Sequence, residues 1–374
     1  MENIVLYIIT LFFILGAIDY LLGNKFSIGE EFENGIKTMG PLAISMVGIL
    51  SITPLLSSII EIVISPIAKN FNIDPSIFSS SFIAIDMGGY NIASNIANSS
   101  EFVIFSGILM ASILGCTLSF TLPLALGLVK EKYMDSLTKG FLCGIITVPI
   151  GLFIGGLALK IDLKSLFINL FPIILLSIIL SIGIMFKPKI CIFIFNFIGK
   201  IIVCISVLGL IIQGIYSIIG IKIVENIMPL QDTLYIVGKI SIFLGGAYVM
   251  LKFIKNIFSK QFNKWEGIFG VNGNTISAFI GSFASAIIVF DNFHKLDEKG
   301  RVICSAFSVS GAYVLGGQLG YVASVAKEYM ILYIFVKILS GILAIIFALF
   351  ILRREDKNRK IINTEEASWR NKLI

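Results

Sequence analysis

The sequence predicts an all-α, polytopic membrane protein. It is expected to be built from inverted-topology repeats of about five segments each, with two re-entrant or broken helical hairpins and a linking transmembrane helix. Three observations carry this. Of the 374 residues, 57% are hydrophobic and only 14% charged, with a mean hydropathy of +0.96, whereas soluble domains carry about a quarter charged residues. The apolar residues fall into blocks of roughly 20 separated by short polar joints, the length at which a helix crosses a bilayer. Two of these blocks are interrupted by glycines and polar side chains, which a bilayer tolerates only where protein or water covers the freed backbone. The many short segments alternating at period two that an outer-membrane barrel needs are absent.

Taken in order, Ile4 to Leu22 is the first expected span, retained because it lacks a basic leader region and a small-x-small cleavage site. A polar, glutamate-rich joint runs from Gly23 to Lys37. Met39 to Ile64 spans next, bent by Pro54. The turn Asn70-Phe71-Asn72-Ile73-Asp74-Pro75 opens the first unusual segment, a hairpin near 72–98. Phe102 to Val129 spans, with Gly107, Ala111 and Gly115 at four-residue intervals for close helix packing. Lys139 to Leu159 repeats that spacing at Gly140/Gly144 and Gly151/Gly155. Leu166 to Phe186, Ile192 to Ile219 and Leu234 to Phe258 are further spans. Asn272-Gly273-Asn274-Thr275 opens the second hairpin, near 265–292. Arg301 to Val325 and Met330 to Leu352 complete the spans, and a charged, poorly packed tail occupies 354–374.

The distribution of charge sets orientation. With the tail in the cytoplasm and both unusual segments entering and leaving on one side, 21 of the 29 Lys and Arg fall on cytoplasmic joints, as the positive-inside rule prefers. The arrangement then divides the chain into a first repeat at 1–160, a linking helix at 161–190 and an upside-down second repeat at 191–353. Inverted repeats whose broken segments meet near the midplane are a signature of secondary transporters. A channel can share the layout.

Ala84-Ile85-Asp86-Met87-Gly88-Gly89-Tyr90-Asn91 carries the functional reading. A carboxylate at membrane depth is expensive and marks a cavity, partner or ligand. Asp86 is expected to pair with an ammonium ion, with Tyr90 offering its aromatic face. Met87, Gly88 and Gly89 shape the turn, and Asn91, Ser81, Asn272, Asn274 and Ser285 are candidates for hydrogen bonds to the same substrate. The alternative is that Asp86 merely caps a half-helix. Lys337 is either a fixed internal cation that balances Asp86 in the empty site or a lysine snorkelling outward.

Beyond these residues, the chain carries Met39-Gly40-Pro41-Leu42-Ala43-Ile44-Ser45-Met46-Val47-Gly48, Asp86-Met87-Gly88-Gly89-Tyr90, Thr147-Val148-Pro149-Ile150-Gly151, Leu244-Gly245-Gly246-Ala247-Tyr248 and Gly300-Arg301-Val302-Ile303. On these patches it resembles the ethanolamine utilisation transporter family, EutH, over nearly its full length short of the tail. The resemblance implies uptake of ethanolamine, a small amino-alcohol cation, across the cytoplasmic membrane of a bacterium. The chain departs from the family where Ser285-Ala286-Ile287-Ile288 replaces an Asn-Asn-x-Pro run and Gly316-Gly317-Gln318 replaces a Gly-Asp-His pattern. Another small amine or polar solute therefore stays open as substrate.

Other classes fit less well. The five cysteines show no metal or C-x-x-C spacing, and a single histidine, His294, leaves little for hydrolytic chemistry. No cofactor or metal is called for, and whether sodium, a proton or nothing drives the cycle stays open. Neither hairpin core holds a basic residue for an anion substrate. An intramembrane protease would want a Ser-His pair or facing aspartates. The net charge of +6 reflects helix-end lysines rather than a nucleic-acid surface. The expected partners are the substrate and the lipid bilayer, and a homo-oligomer is compatible with the sequence.

Overall fold

The computed structural model describes residues 3–259, 266–267 and 270–372. Among these residues every regular element is helical. Seven helices are long and apolar enough to cross a membrane, or eight when the bent pair Gly29–Ser51 and Thr53–Asn70 is taken as one span. The chain is a multi-pass membrane protein.

Helix α1 (Asn3–Leu21) ends on Asp19, whose carboxylate accepts the backbone amides of Phe26, Ile28 and Gly29 at 2.8–3.0 Å. That carboxylate closes the turn into α2 (Gly29–Ser51), so the helix begins earlier than Met39, inside the stretch read as a polar joint. Helix α3 (Thr53–Asn70) follows at a 53° bend. Pro54 stands in its first turn, where its missing amide and ring interrupt the helix ladder.

The first hairpin consists of α4 (Pro75–Phe82), a tight turn at Ile85–Met87 and α5 (Gly89–Ile96). It lies on α6 (Ser100–Leu128), which widens into π-helix over Phe105–Gly115 and Thr117–Thr121. The small residues of α6 have a direct role. A side chain at Gly115 would collide with the carbonyls of Ile83 and Ser80, and one at Gly107 with Ala93 and Tyr90. The hairpin backbone thus rests directly on the glycine stripe.

Helix α7 (Met134–Ala158) is followed by α8 (Leu163–Phe186) and α9 (Pro188–Ile219). Helix α10 (Leu230–Ser259) packs against α1 and α2, where Gly35 meets Gly245 and Gly246 meets Ile9. The second hairpin holds α11 (Gly273–Ser282) and α12 (Ile287–Asp291). Part of the stretch at 265–292 assigned to it from sequence lies outside the described residues.

Two expectations need correction. Arg301 to Val325 is not one span but α13 (Glu298–Ser310) and α14 (Gly317–Val325), separated by a non-helical stretch at 311–316. The second hairpin stabilises this break, because the amides of Tyr313 and Leu315 donate to the carbonyls of Ser282 and Phe283 at 3.0 and 2.8 Å. The last helix, α15 (Met330–Lys372), also does not stop at Leu352 but continues through the charged tail. Lys139 of α7 pairs with Glu355 at 3.1 Å on that extension. Gly140 and Gly144 seat α7 on α13, and Gly151 and Gly155 seat it on Ser340 and Val336 of α15.

Gly115→Ala should lower stability by about 1–3 kcal/mol, since the obstructing atoms are backbone carbonyls that cannot rotate away. Gly127→Ala, which points into open space, should leave stability unchanged or slightly raised. Thermal unfolding in detergent compares the two, and equal midpoints would contradict the packing described.

Candidate functional site

The two ends of the first hairpin are tied together. Asp74 caps α4 through Ser76, whose amide donates to Oδ1 at 3.0 Å. The other carboxylate oxygen accepts the amide of Asn98, beyond the end of α5, at 2.8 Å. The Asp74 amide in turn donates to Asn169 of α8 at 2.7 Å. Each arm is eight residues long, about 12 Å at 1.5 Å per residue, too short to cross a hydrocarbon layer of about 30 Å.

Within the turn, the carbonyl of Ala84 accepts both the Met87 and Gly89 amides at 3.0 Å. Gly88 adopts φ +93°, a conformation that suits a residue without Cβ. A side chain at Gly89 would strike the carbonyls of Ile83 and Ala84. The two glycines are therefore backbone requirements of the turn that presents Asp86. The Asp86 side chain is half-buried, and it makes no hydrogen bond or ion pair with any other described residue.

Helices α2, α6 and α14 pack against this turn. Tyr90 meets Tyr321 of α14 edge-on at 6.3 Å between ring centres. The Tyr321 hydroxyl donates to Asn91 Oδ1 at 2.7 Å, tying the hairpin to α14. Lys337 of α15 is 1% exposed, which removes the outward-snorkelling reading. Its Nζ donates to the Ser112 carbonyl at 2.9 Å and to Gln318 Oε1 at 2.8 Å. The Tyr333 hydroxyl donates to the same Gln318 oxygen at 3.3 Å and to the Tyr313 carbonyl at 3.1 Å. The Asp86 turn and Lys337 both meet α6 and α14, Lys337 through Ser112 and Gln318, and the two side chains form no ion pair.

The structure therefore groups Asp86, Met87, Gly88, Gly89, Tyr90 and Asn91 with Lys337. The other expected substrate contacts have different occupations. Ser81 donates back to the Ile77 carbonyl of its own helix at 2.7 Å. Asn272 caps α11 by accepting the Thr275 amide at 2.9 Å, while its amide group donates to the Lys295 carbonyl. Asn274 is exposed, and Ser285 accepts the Ile287 amide at 3.3 Å within its own turn. A carboxylate again secures the base of this hairpin: Asp297 accepts the Asn272 amide at 3.0 Å and the Thr275 hydroxyl at 2.7 Å.

Gln318, Tyr321, Tyr333 and Ser112 were missed as site residues. Gln318 alone had a signal, as a polar group following Gly316-Gly317. Nothing in the spacing marks the tyrosines. Among the described residues no group of three or more His, Cys, Asp or Glu is arranged to hold a metal ion.

A family model described as "Ethanolamine utilisation protein, EutH" matches residues 1–351. The chain belongs to this family. It is 36% identical over 359 residues to a protein of Listeria monocytogenes named "Probable ethanolamine permease EutH", with 96% of each chain covered. A Bacillus subtilis protein named "Uncharacterized protein YxeR" is 34% identical over 92% of this chain and 93% of its own. An Escherichia coli protein, also named "Probable ethanolamine permease EutH", is 28% identical over 95% and 96%. No solved structure matches the chain. These names point to a transporter rather than an enzyme.

Removing the buried Lys337 should change what Asp86 contributes, if the two charges sense each other. Lys337→Met, which also leaves Gln318 and the Ser112 carbonyl short of a donor, should cost about 1–3 kcal/mol. The double variant Asp86→Asn/Lys337→Met should lose less than the sum of the single changes. Thermal unfolding of all four proteins measures the coupling, and strict additivity would show that the two charges do not sense each other.

Proposed function

We propose that the protein carries ethanolamine into a bacterial cell across the cytoplasmic membrane by alternating access, with its C-terminus in the cytoplasm. The observation that carries this reading is the Asp86 carboxylate, displayed at the break of a helical hairpin and making no hydrogen bond or ion pair with any other described residue. A small ammonium ion supplies the missing positive charge, and Tyr90 offers an aromatic face beside it. The names of the Listeria and Escherichia relatives support the same substrate.

Ethanolamine presents an ammonium group and a hydroxyl two carbons apart. In the proposed complex Asp86 takes the ammonium group, Tyr90 packs against it, and Asn91 and Gln318 lie within the same wall to meet the hydroxyl. A dry site leaves unpaired polar atoms costly, so it discriminates against amines without the hydroxyl. Lys337 keeps the empty site near neutral. When the substrate cation enters, its charge adds to that of Lys337, and the altered balance favours rearrangement of the hairpin against α14 and α15. The inverted repeat, with 1–160 and 191–353 as its halves, is part of this proposal. It is supported by two hairpins that are each secured at the base by a carboxylate, Asp74 in one and Asp297 in the other.

A second substrate, another small amine, is favoured by one observation: Gln318 stands where the family resemblance expects a more polar, charged pattern, and its oxygen is already engaged by Lys337 and Tyr333. Competition among amines separates the two substrates.

Uptake of labelled ethanolamine into proteoliposomes tests the assignment. The wild-type protein should show saturable uptake, inhibited by unlabelled ethanolamine more strongly than by ethylamine. Asp86→Asn should reduce it at least 100-fold, on the order of the 3 kcal/mol lost with a buried charge partner, while the variant inserts and purifies normally. Wild-type rates from Asp86→Asn would remove Asp86 from the site.

A further inference from the structure

Three of the lysines in or beside the membrane-spanning helices are treated differently. Lys337 is sealed inside, whereas Lys239 and Lys327 line a groove on the outside of the helix bundle. The groove runs between α1, α10 and α14 and encloses about 430 Å³, with walls of Leu6, Ile9, Phe13, Ile242 and Phe243. Lys239 leans toward the start of α10, its Nζ 5.2 Å from the ring centre of Tyr235, which is 65% exposed. An exposed tyrosine near a helix start fits the membrane interface, and a lysine reaching toward it brings its charge to headgroup depth. Lys327 lies in the turn that joins α14 to α15. Neither lysine has a hydrogen bond or ion pair among the described residues, Glu328 beside Lys327 included.

Two cations without ion pairs, both lining an apolar interhelical groove, match one class of molecule: an anion carrying a hydrocarbon chain. We propose that this groove binds an anionic phospholipid, its phosphate between Lys239 and Lys327 and an acyl chain along the wall formed by Leu6, Ile9 and Phe13. The charge complement favours a lipid with net negative charge over a zwitterionic one.

The location gives the lipid a consequence. Gly320 of α14 packs directly on Ile240 and Phe243 of α10, and the same short helix carries Gln318 and Tyr321. A lipid that bridges Lys239 of α10 and Lys327 beyond the end of α14 fastens the wall of the Asp86 turn to the rest of the bundle. The lipid-binding proposal itself stands on the groove and its lysines and does not depend on the identity of any transported molecule.

Native mass spectrometry of the full-length protein, released from nanodiscs of phosphatidylcholine mixed with phosphatidylglycerol, tests this. The wild-type protein should retain phosphatidylglycerol in preference to phosphatidylcholine. The double variant Lys239→Gln/Lys327→Gln should bind it roughly thirty-fold more weakly, the combined effect of two lysines at the membrane surface. Lys164→Gln/Lys222→Gln, at exposed positions elsewhere, should retain it as the wild type does. Thermal unfolding in phosphatidylcholine alone should be the same for wild type and the Lys239/Lys327 variant, so that lost binding is not lost folding. Equal retention of phosphatidylglycerol by that variant and wild type would overturn the proposal. Equal retention of both lipids by the wild type, or displacement of the lipid by inorganic phosphate, would do so too.

Discussion

A helix broken inside a membrane releases backbone amides and carbonyls that water cannot reach, and each must find a partner in the protein. That constraint shapes the structure around the candidate site. At the first break the Ala84 carbonyl takes two amides and Gly88 allows the reversal. At the break between α13 and α14 the amides of Tyr313 and Leu315 are taken by carbonyls at the end of α11 and just beyond it. The second hairpin thus serves the first half of the site indirectly: it stabilises the interruption that lets α14 begin at Gly317 and place Gln318 and Tyr321 against the Asp86 turn. Glycine follows the same logic. Gly107 and Gly115 are needed because hairpin backbone, not merely side chain, lies against α6.

The polar residues near the site divide by what already holds them. Asp19, Asp74 and Asp297 are acidic groups whose oxygens are filled by backbone amides, and each closes a turn or a hairpin base. Asp86 differs from them in having no such partners beyond its own turn. Lys337 is the complementary case, a buried cation held by two neutral oxygens with a carboxylate nearby but out of contact. An ion pair closed between Asp86 and Lys337 would leave little reason for a cation to enter. In the proposed cycle their separation keeps the empty site close to neutral overall and leaves the carboxylate for the substrate cation.

Much of the architecture was legible because hydrophobic block length and helix-breaking residues act locally. The spans at Ile4–Leu21, Leu163–Phe186 and Leu230–Ile257 follow from such blocks, and Asp86-Met87-Gly88-Gly89 announces its own break. The interruption at 311–316 was not legible. Its sequence, Gly311-Ala312-Tyr313-Val314-Leu315-Gly316, is apolar enough to continue a helix, and the carbonyls that stabilise its turn conformation come from Ser282 and Phe283, close in space and distant along the chain. The site was half legible for the same reason. Asp86 and Tyr90 stand on one short stretch, whereas Gln318, Tyr321 and Tyr333 join them only through the packing of α14 and α15. Asn272 shows why such residues are ambiguous in sequence, because an asparagine at a helix start caps the helix as readily as it binds a ligand.

The central claim is that Asp86 itself meets the ammonium group of the substrate. Solid-state NMR on the protein in lipid, with 15N-labelled ethanolamine and 13C-carboxyl-labelled aspartate, measures that contact directly. The account predicts a dipolar coupling of salt-bridge strength in the wild-type protein that disappears in Asp86→Asn. A coupling that survives the substitution, or none at saturating ethanolamine, would contradict it.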